Sequence, residues 1–219
     1  MGRYGLPCAF IMAFGVSLHA RLLPHDLRWR AITELRTGLA AGAFWPAMHA
    51  AEGLTEAGFG PSVAFDLRPR LDAEADAQRR CGLAREIART GDLAPVRTLA
   101  DILGDAAGNG RIHAAESLFK IGQTGPVERL RAAAADGDPV LALMAAAALL
   151  RAGDGAYLAP IRMALQHQDM PVRRTAAWLL GQVGSAADIT ALRPLAARET
   201  DAVALAFVWN ALAALGAPE

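Results

Sequence analysis

The stretch "DMPVRRTAAWLLGQVG" (169–184) decides how the chain is read. Asp169 precedes a run of apolar residues at helical spacing, and a carboxylate there suits an N-cap, because it accepts from exposed backbone N–H groups. Gly184 closes the run and suits the left-handed residue that ends many helices. Moving outward from Gly184, the same glycine recurs at Gly58, Gly91, Gly122, Gly153 and Gly216, with steps of 33, 31, 31, 31 and 32 residues along the series. Four residues before each glycine stands Leu54, Ile87, Leu118, Leu149, Leu180 or Leu212. Seven before stands Ala51, Ala84, Ala115, Ala146 or Ala177, and Trp209 breaks that series. Fifteen before, Asp76, Asp138, Asp169 and Asp201 mark four of the six units. Several series in one register at this period point to a helical solenoid rather than a single globular fold.

Each unit reads as helix A, turn, helix B, turn. Pro61, Pro95, Pro126 and Pro160 sit near the starts of A helices, where a missing N–H costs nothing. The small Ala lets a neighbouring helix approach, and the Leu fills the core. The pattern "D-x-P-V-R-x-x-A-A-x-x-L-G" of 169–181, with "DPVLALMAAAALLRAG" (138–153) close behind, resembles the short HEAT-like repeats of the phycobilin lyase type. The resemblance covers most of the chain after residue 25. It implies an all-α, right-handed α-solenoid of about six helix–turn–helix HEAT-like repeats over 26–219. It says little about activity, since one repeat fold serves many tasks.

With 219 residues the chain has enough apolar material for a sizeable core, and its 22 Lys+Arg balance 22 Asp+Glu. That balance gives no global basic field to attract nucleic acid. Two cysteines, Cys8 and Cys81, make no disulfide framework and no zinc spacing. Arg79, Arg80 and Arg85 stand near Cys81 and would lower its thiol pKa, but free Cys is among the most buried residue types, so a packed thiol is the stronger reading. Residues 1–25 are set apart from the repeats. The opening "MGRYGLPCAFIMAFGVSLHA" (1–20) suits a secretory signal peptide by its apolar stretch and small residues, and equally an apolar N-terminal cap. A cleaved leader would place the protein in the periplasm or outside the cell; without one it is cytoplasmic. The apolar run is too short for a transmembrane span, which needs about 20 such residues.

"HAAEGLTEAG" (49–58) and "HAAESLFKIG" (113–122) repeat a His three residues before a Glu. Counting back from each glycine, positions −8, −7, −4 and −1 are apolar almost throughout and predict the core face; −9, −6, −5 and −2 predict the outer face, which would line the concave groove. That groove would present His49, Glu52, Arg85, His113 and Glu116 in the first three units, and Met144, Trp178 and Phe207 in the last three. Arg85 would lie between Glu52 and Glu116 as a Glu–Arg–Glu ladder. The aromatic end would form an apolar patch of the kind that marks partner sites, or equally Phe207 and Trp209 would seal the last unit, since terminal repeats depart from consensus. Arg162, Arg173, Arg174 and Arg193 could form a small basic patch, but an ordinary solvated face is the first reading. Trp45, in "AFWPAMHAA" (43–51), would cap the first helix pair.

The His/Glu pairs also bear a likeness to the HEAT-repeat deoxyhypusine hydroxylases, whose His and Glu are adjacent rather than three apart. Two pairs separated by a whole repeat would stand roughly 16–20 Å from each other at ordinary helix spacing, too far to share an ion. No metal, other cofactor or catalytic constellation is therefore expected. The expected role is a scaffold that binds a protein partner along its groove. The alternatives are a lyase subunit like the phycobilin lyases and, more remotely, a metal-dependent hydroxylase.

Overall fold

The computed structural model describes residues 24–216, so the leader or cap reading of the N-terminus falls outside the described residues. The chain divides into two compact units, the first ending at Phe59 and the second starting at Gly60. In the first unit, α1 (His25–Ala40) packs on α2 (Phe44–Leu54), which runs into one π-helical turn at Thr55–Phe59. Trp45 meets Phe44 edge to face, 4.9 Å between ring centres.

The second unit contains five helix pairs: α3 (Gly60–Ala73) with α4 (Ala77–Arg89), α5 (Val96–Gly104) with α6 (Arg111–Ile121), α7 (Val127–Ala134) with α8 (Pro139–Arg151), α9 (Leu158–Ala164) with α10 (Met170–Val183), and α11 (Ile189–Arg198) with α12 (Ala202–Ala214). Even-numbered helices are the B helices. In this unit each packs on its own A helix, and successive B helices pack on one another, so α4, α6, α8, α10 and α12 form a continuous spine. Among the described residues there is no strand, and no helix is long and apolar enough to cross a membrane. The fold is an all-α solenoid.

The repeat marks behave as mechanical parts. The Ala at −7 is buried in all five units that have it, and so is the Leu or Ile at −4 in all six. Trp209, which replaces that Ala on α12, is 58% exposed, because no further B helix lies beyond α12 among the described residues. Asp76, Asp138 and Asp201 cap their helices through the side chain, accepting from the N–H of Arg79, of Val140 and Leu141, and of Ala204. Asp169 occupies the cap position without such a bond. One further series sits at −17: Glu74, Asp105, Asp136, His167 and Glu199 each accept the backbone N–H of the residue two places on. These bonds fold the turn that launches each B helix.

Two face assignments are corrected. Position −5 was expected outside, yet Glu86, Ser117, Ala148, Leu179 and Ala211 are all buried. The reason is that this side of a B helix receives the preceding B helix: a Cβ on Gly181 of α10 would lie 2.9 Å from the Cα of Ala211 on α12. Position −1 was expected inside but is half-buried or exposed throughout, since the last turn projects past the neighbouring helices.

Two of the four arginines named as a basic patch or solvated face are paired. Arg162 of α9 binds Asp188, and Arg173 of α10 binds both oxygens of Glu199, at 2.8 and 3.2 Å. Arg129 to Asp101 (2.7 Å), Arg68 to Asp92 (2.6 Å) and Arg111 to Asp136 (2.9 Å) link neighbouring repeats in the same way. Burial opposes ionisation of Asp188, but the hydrogen bonds from Arg162 and the Ser185 backbone outweigh it and hold the carboxyl below its ordinary value. The Arg173 guanidinium does the same for Glu199.

Gly153 closes α8 at φ +104, a conformation that costs an L-residue about 1–2 kcal/mol. Gly153→Ala is therefore expected to lower stability by about 1 kcal/mol, whereas Gly137→Ala, in open space at ordinary φ, lowers it not at all; thermal unfolding of the two variants compares them. Asp188→Asn is expected to cost about 1.5–3 kcal/mol at neutral pH. Because the folded carboxyl ionises more readily than the unfolded one, its contribution is present at neutral pH and lost on acidification. The gap between variant and wild type in urea unfolding thus narrows as the pH falls below about 4.

Candidate functional site

The outward strip of the B helices in the second unit is narrower and more heavily paired than the residue pattern suggests. On α4, Arg85 does not project outward: it is 8% exposed and donates from Nε to Glu86 Oε1 at 2.6 Å. Glu86 is fully buried, and Arg89 Nε lies 3.5 Å from its second oxygen. The expected role of Arg85 as the middle of a ladder to Glu116 is thereby corrected. A buried carboxylate needs cationic partners, so Glu86 at −5 draws the neighbouring guanidinium inward. Cys81, one turn before Arg85, is buried with Sγ 3.7 Å from the Gly110 carbonyl. Burial pushes its thiol up to about 12, outweighing Arg85 and Arg80, so it is a packed thiol and not an activated one.

On α6, His113 and Glu116 lie on one face, with His113 Nδ1 3.8 Å from the Glu116 carboxylate. The stronger partner of Glu116 is Lys120, at 2.6 Å. In the first unit, His49 is exposed, with Nδ1 3.7 Å from the half-buried Glu52. Neither pair suits a metal: the Lys120 ammonium sits on the carboxylate that would have to ligate, and among the described residues no three His, Cys, Asp or Glu converge. The donor set does not fit the iron of a hydroxylase.

The expected apolar patch loses one member. Met144 is 8% exposed and folds into the core cluster, as an unbranched side chain readily does. Trp178 and Phe207 stay half-buried. The indole of Trp178 on α10 reaches back past α8 to α6, where it meets Phe119 edge to face at 5.6 Å and lies 5.5 Å from Lys120 Nζ. Ala147, at the outward position of the intervening α8, is fully buried. Arg151 of α8 stacks 4.8 Å over the Phe119 ring and donates to the Phe119 carbonyl at 2.7 Å. The Arg174 guanidinium lies 5.9 Å from the ring of Phe207.

Lys120, Arg151 and Arg174 are therefore part of this surface, although the reading of the outer face passed over them. The signal was present: position −2 holds Arg89, Lys120 and Arg151 in three successive units. Chemically the strip offers stacked cations, two half-exposed aromatic rings and paired carboxylates. It has no nucleophile–base pair, and the larger clefts lie elsewhere, as between Asp101, Arg111, Glu128 and Arg129.

A family model described as HEAT repeats matches residues 127–213. The match spans the helix pairs from α7 to α12, and the pairs before them share their residue pattern. No curated protein matches the sequence. Eleven solved chains match; one is human deoxyhypusine hydroxylase in complex with glycerol, 17% identical, with 88% of each chain covered and a TM-score of 0.41.

The burial difference between the two polar groups is open to a direct check. Glu86→Ala leaves two guanidinium groups without their shared buried carboxylate and is expected to cost about 3–5 kcal/mol in denaturant unfolding. His113→Ala, at a half-exposed position, should change stability by no more than about 0.5 kcal/mol.

Proposed function

We propose that this protein is a HEAT-repeat interaction scaffold that holds a protein partner along the outward strip of helices α6 to α12, with no chemistry of its own. The observation that carries this reading is Trp178. A half-exposed indole is braced by Phe119 and Lys120 from two helices away, on a strip that continues to Phe207. Indole side chains in such braced, partly desolvated settings dominate binding at protein interfaces. The side chains of the strip span several successive B helices, from Lys120 on α6 to Phe207 on α12, which suits a polymer lying across several repeats better than a small molecule enclosed in a pocket. His113 and Glu116 lie beside it and would contact the same partner at its polar edge. Neither the lyase nor the hydroxylase alternative gains an observation from this surface.

A photo-reactive side chain placed at Gln182, exposed on α10 one turn from Trp178, should cross-link one defined protein in the native host. The same group at Ala159, exposed on the A helix α9, should not. Trp178→Ala in the Gln182 background should abolish the adduct while the far-UV helical signal is kept. Equal cross-linking from both positions would contradict the assignment of the strip.

A further inference from the structure

Given that reading, the remaining question is the chemistry of the segment held on the strip, and the bookkeeping of charge answers it. The carboxylates nearby are already matched: Glu116 beside the strip by Lys120 and His113, and the buried Glu86 of α4 by Arg85 and Arg89. Two guanidinium groups are left over. Among the described residues no carboxylate lies within ion-pair distance of Arg151 or of Arg174, whereas Arg129 and Arg162 on the A helices α7 and α9, and Arg173 beside Arg174 on α10, each have one. Both are held instead against aromatic rings, Arg151 on Phe119 and Arg174 on Phe207. A stacked guanidinium is fixed in orientation and keeps edge N–H donors for a bidentate acceptor.

Trp178 lies between them: it touches Phe119, and it follows Arg174 by one helical turn on α10. We propose that the strip binds an acidic protein segment, with carboxylate side chains on Arg151 and Arg174 and an apolar side chain against Trp178. A nucleic acid fits less well. The face on which a base would stack carries the Lys120 ammonium, the Glu116 carboxylate lies beside it, and the chain has no excess of positive charge.

The test pans a random dodecapeptide library on the full folded chain and measures the affinity of a synthesised selected peptide. Asp and Glu should be enriched, and affinity should fall steeply with salt. The Arg151→Gln/Arg174→Gln double variant should lose about tenfold or more in affinity, since charge-assisted bonds are the strong ones. Arg193→Gln, an exposed arginine on α11, should lose none. Both glutamine variants alter surface side chains, and an unchanged far-UV spectrum establishes that they fold. If the enriched peptides are not acidic yet lose binding with Trp178→Ala, the acidic assignment is overturned and the scaffold reading stands. If no sequence is enriched, both fall. Tighter binding of an oligothymidylate than of any selected peptide overturns the proposal in favour of nucleic acid.

Discussion

Everything else in this fold depends on how closely consecutive B helices approach. Where α10 meets α12, the space between backbones would not admit one Cβ on Gly181. Where α4 meets α6, a Cβ on Gly110 would stand 2.8 Å from that of Ala77. Such spacing requires small residues on the faces in contact, which is why Ala recurs at −7, and it requires a larger residue to close the core, which is why Leu or Ile recurs at −4. Close packing at interior density then leaves each helix little freedom to shift alone. It also widens the buried arc. A helix covered by its partner and by two neighbours hides more of its circumference than an ordinary amphipathic helix, so the strip left for function is thin.

Polar groups divide accordingly. Several arginines serve the stack: Arg68 of α3, Arg129 of α7, Arg162 of α9 and Arg173 of α10 each reach a carboxylate in an adjacent repeat. Glu86, by contrast, is a carboxylate carried into the interior. Its burial is tolerated only because Arg85 and Arg89 go with it. The same packing that orders the helices thus uses up charge that a surface reading would count as available.

The architecture was legible in the sequence because the repeat supplies several copies of each clue. Six glycines, the Ala and Leu series and the capping aspartates agree on helix boundaries, and five of the six glycines adopt positive φ as a helix end requires. Gly184 is the exception. At φ −78 it is not left-handed, and it is glycine for want of room, since a Cβ would stand 2.5 Å from the Leu180 carbonyl and 3.0 Å from Asp188. The −17 series escaped notice because Glu, Asp and His fill one role as acceptors, so no single residue type recurs. The outer face was harder. Helical periodicity gives the direction of a side chain but not which neighbour covers it, so Glu86 and Met144 were placed outside and Arg85 was left without its real partner. The reach of Trp178 across an entire repeat has no local signature at all.

A cation at −2 has a structural explanation before it has a functional one. Arg89, Lys120 and Arg151 stand in the last turn of their helices, where unsatisfied carbonyls favour positive charge, and Arg151 also donates to the carbonyl of Phe119 at the end of α6. The row by itself therefore says little about a partner. What sets Arg151 apart is its environment. Lys120 and Arg89 face carboxylates, while Arg151 faces a carbonyl and an aromatic ring, which orient a guanidinium without neutralising it. Arg174 departs in the same sense from the adjacent Arg173, which lies in a fork with Glu199. In an array where several arginines pair across repeats, two guanidinium groups oriented on aromatic rings without a carboxylate, around one half-exposed indole, offer their charge to a partner.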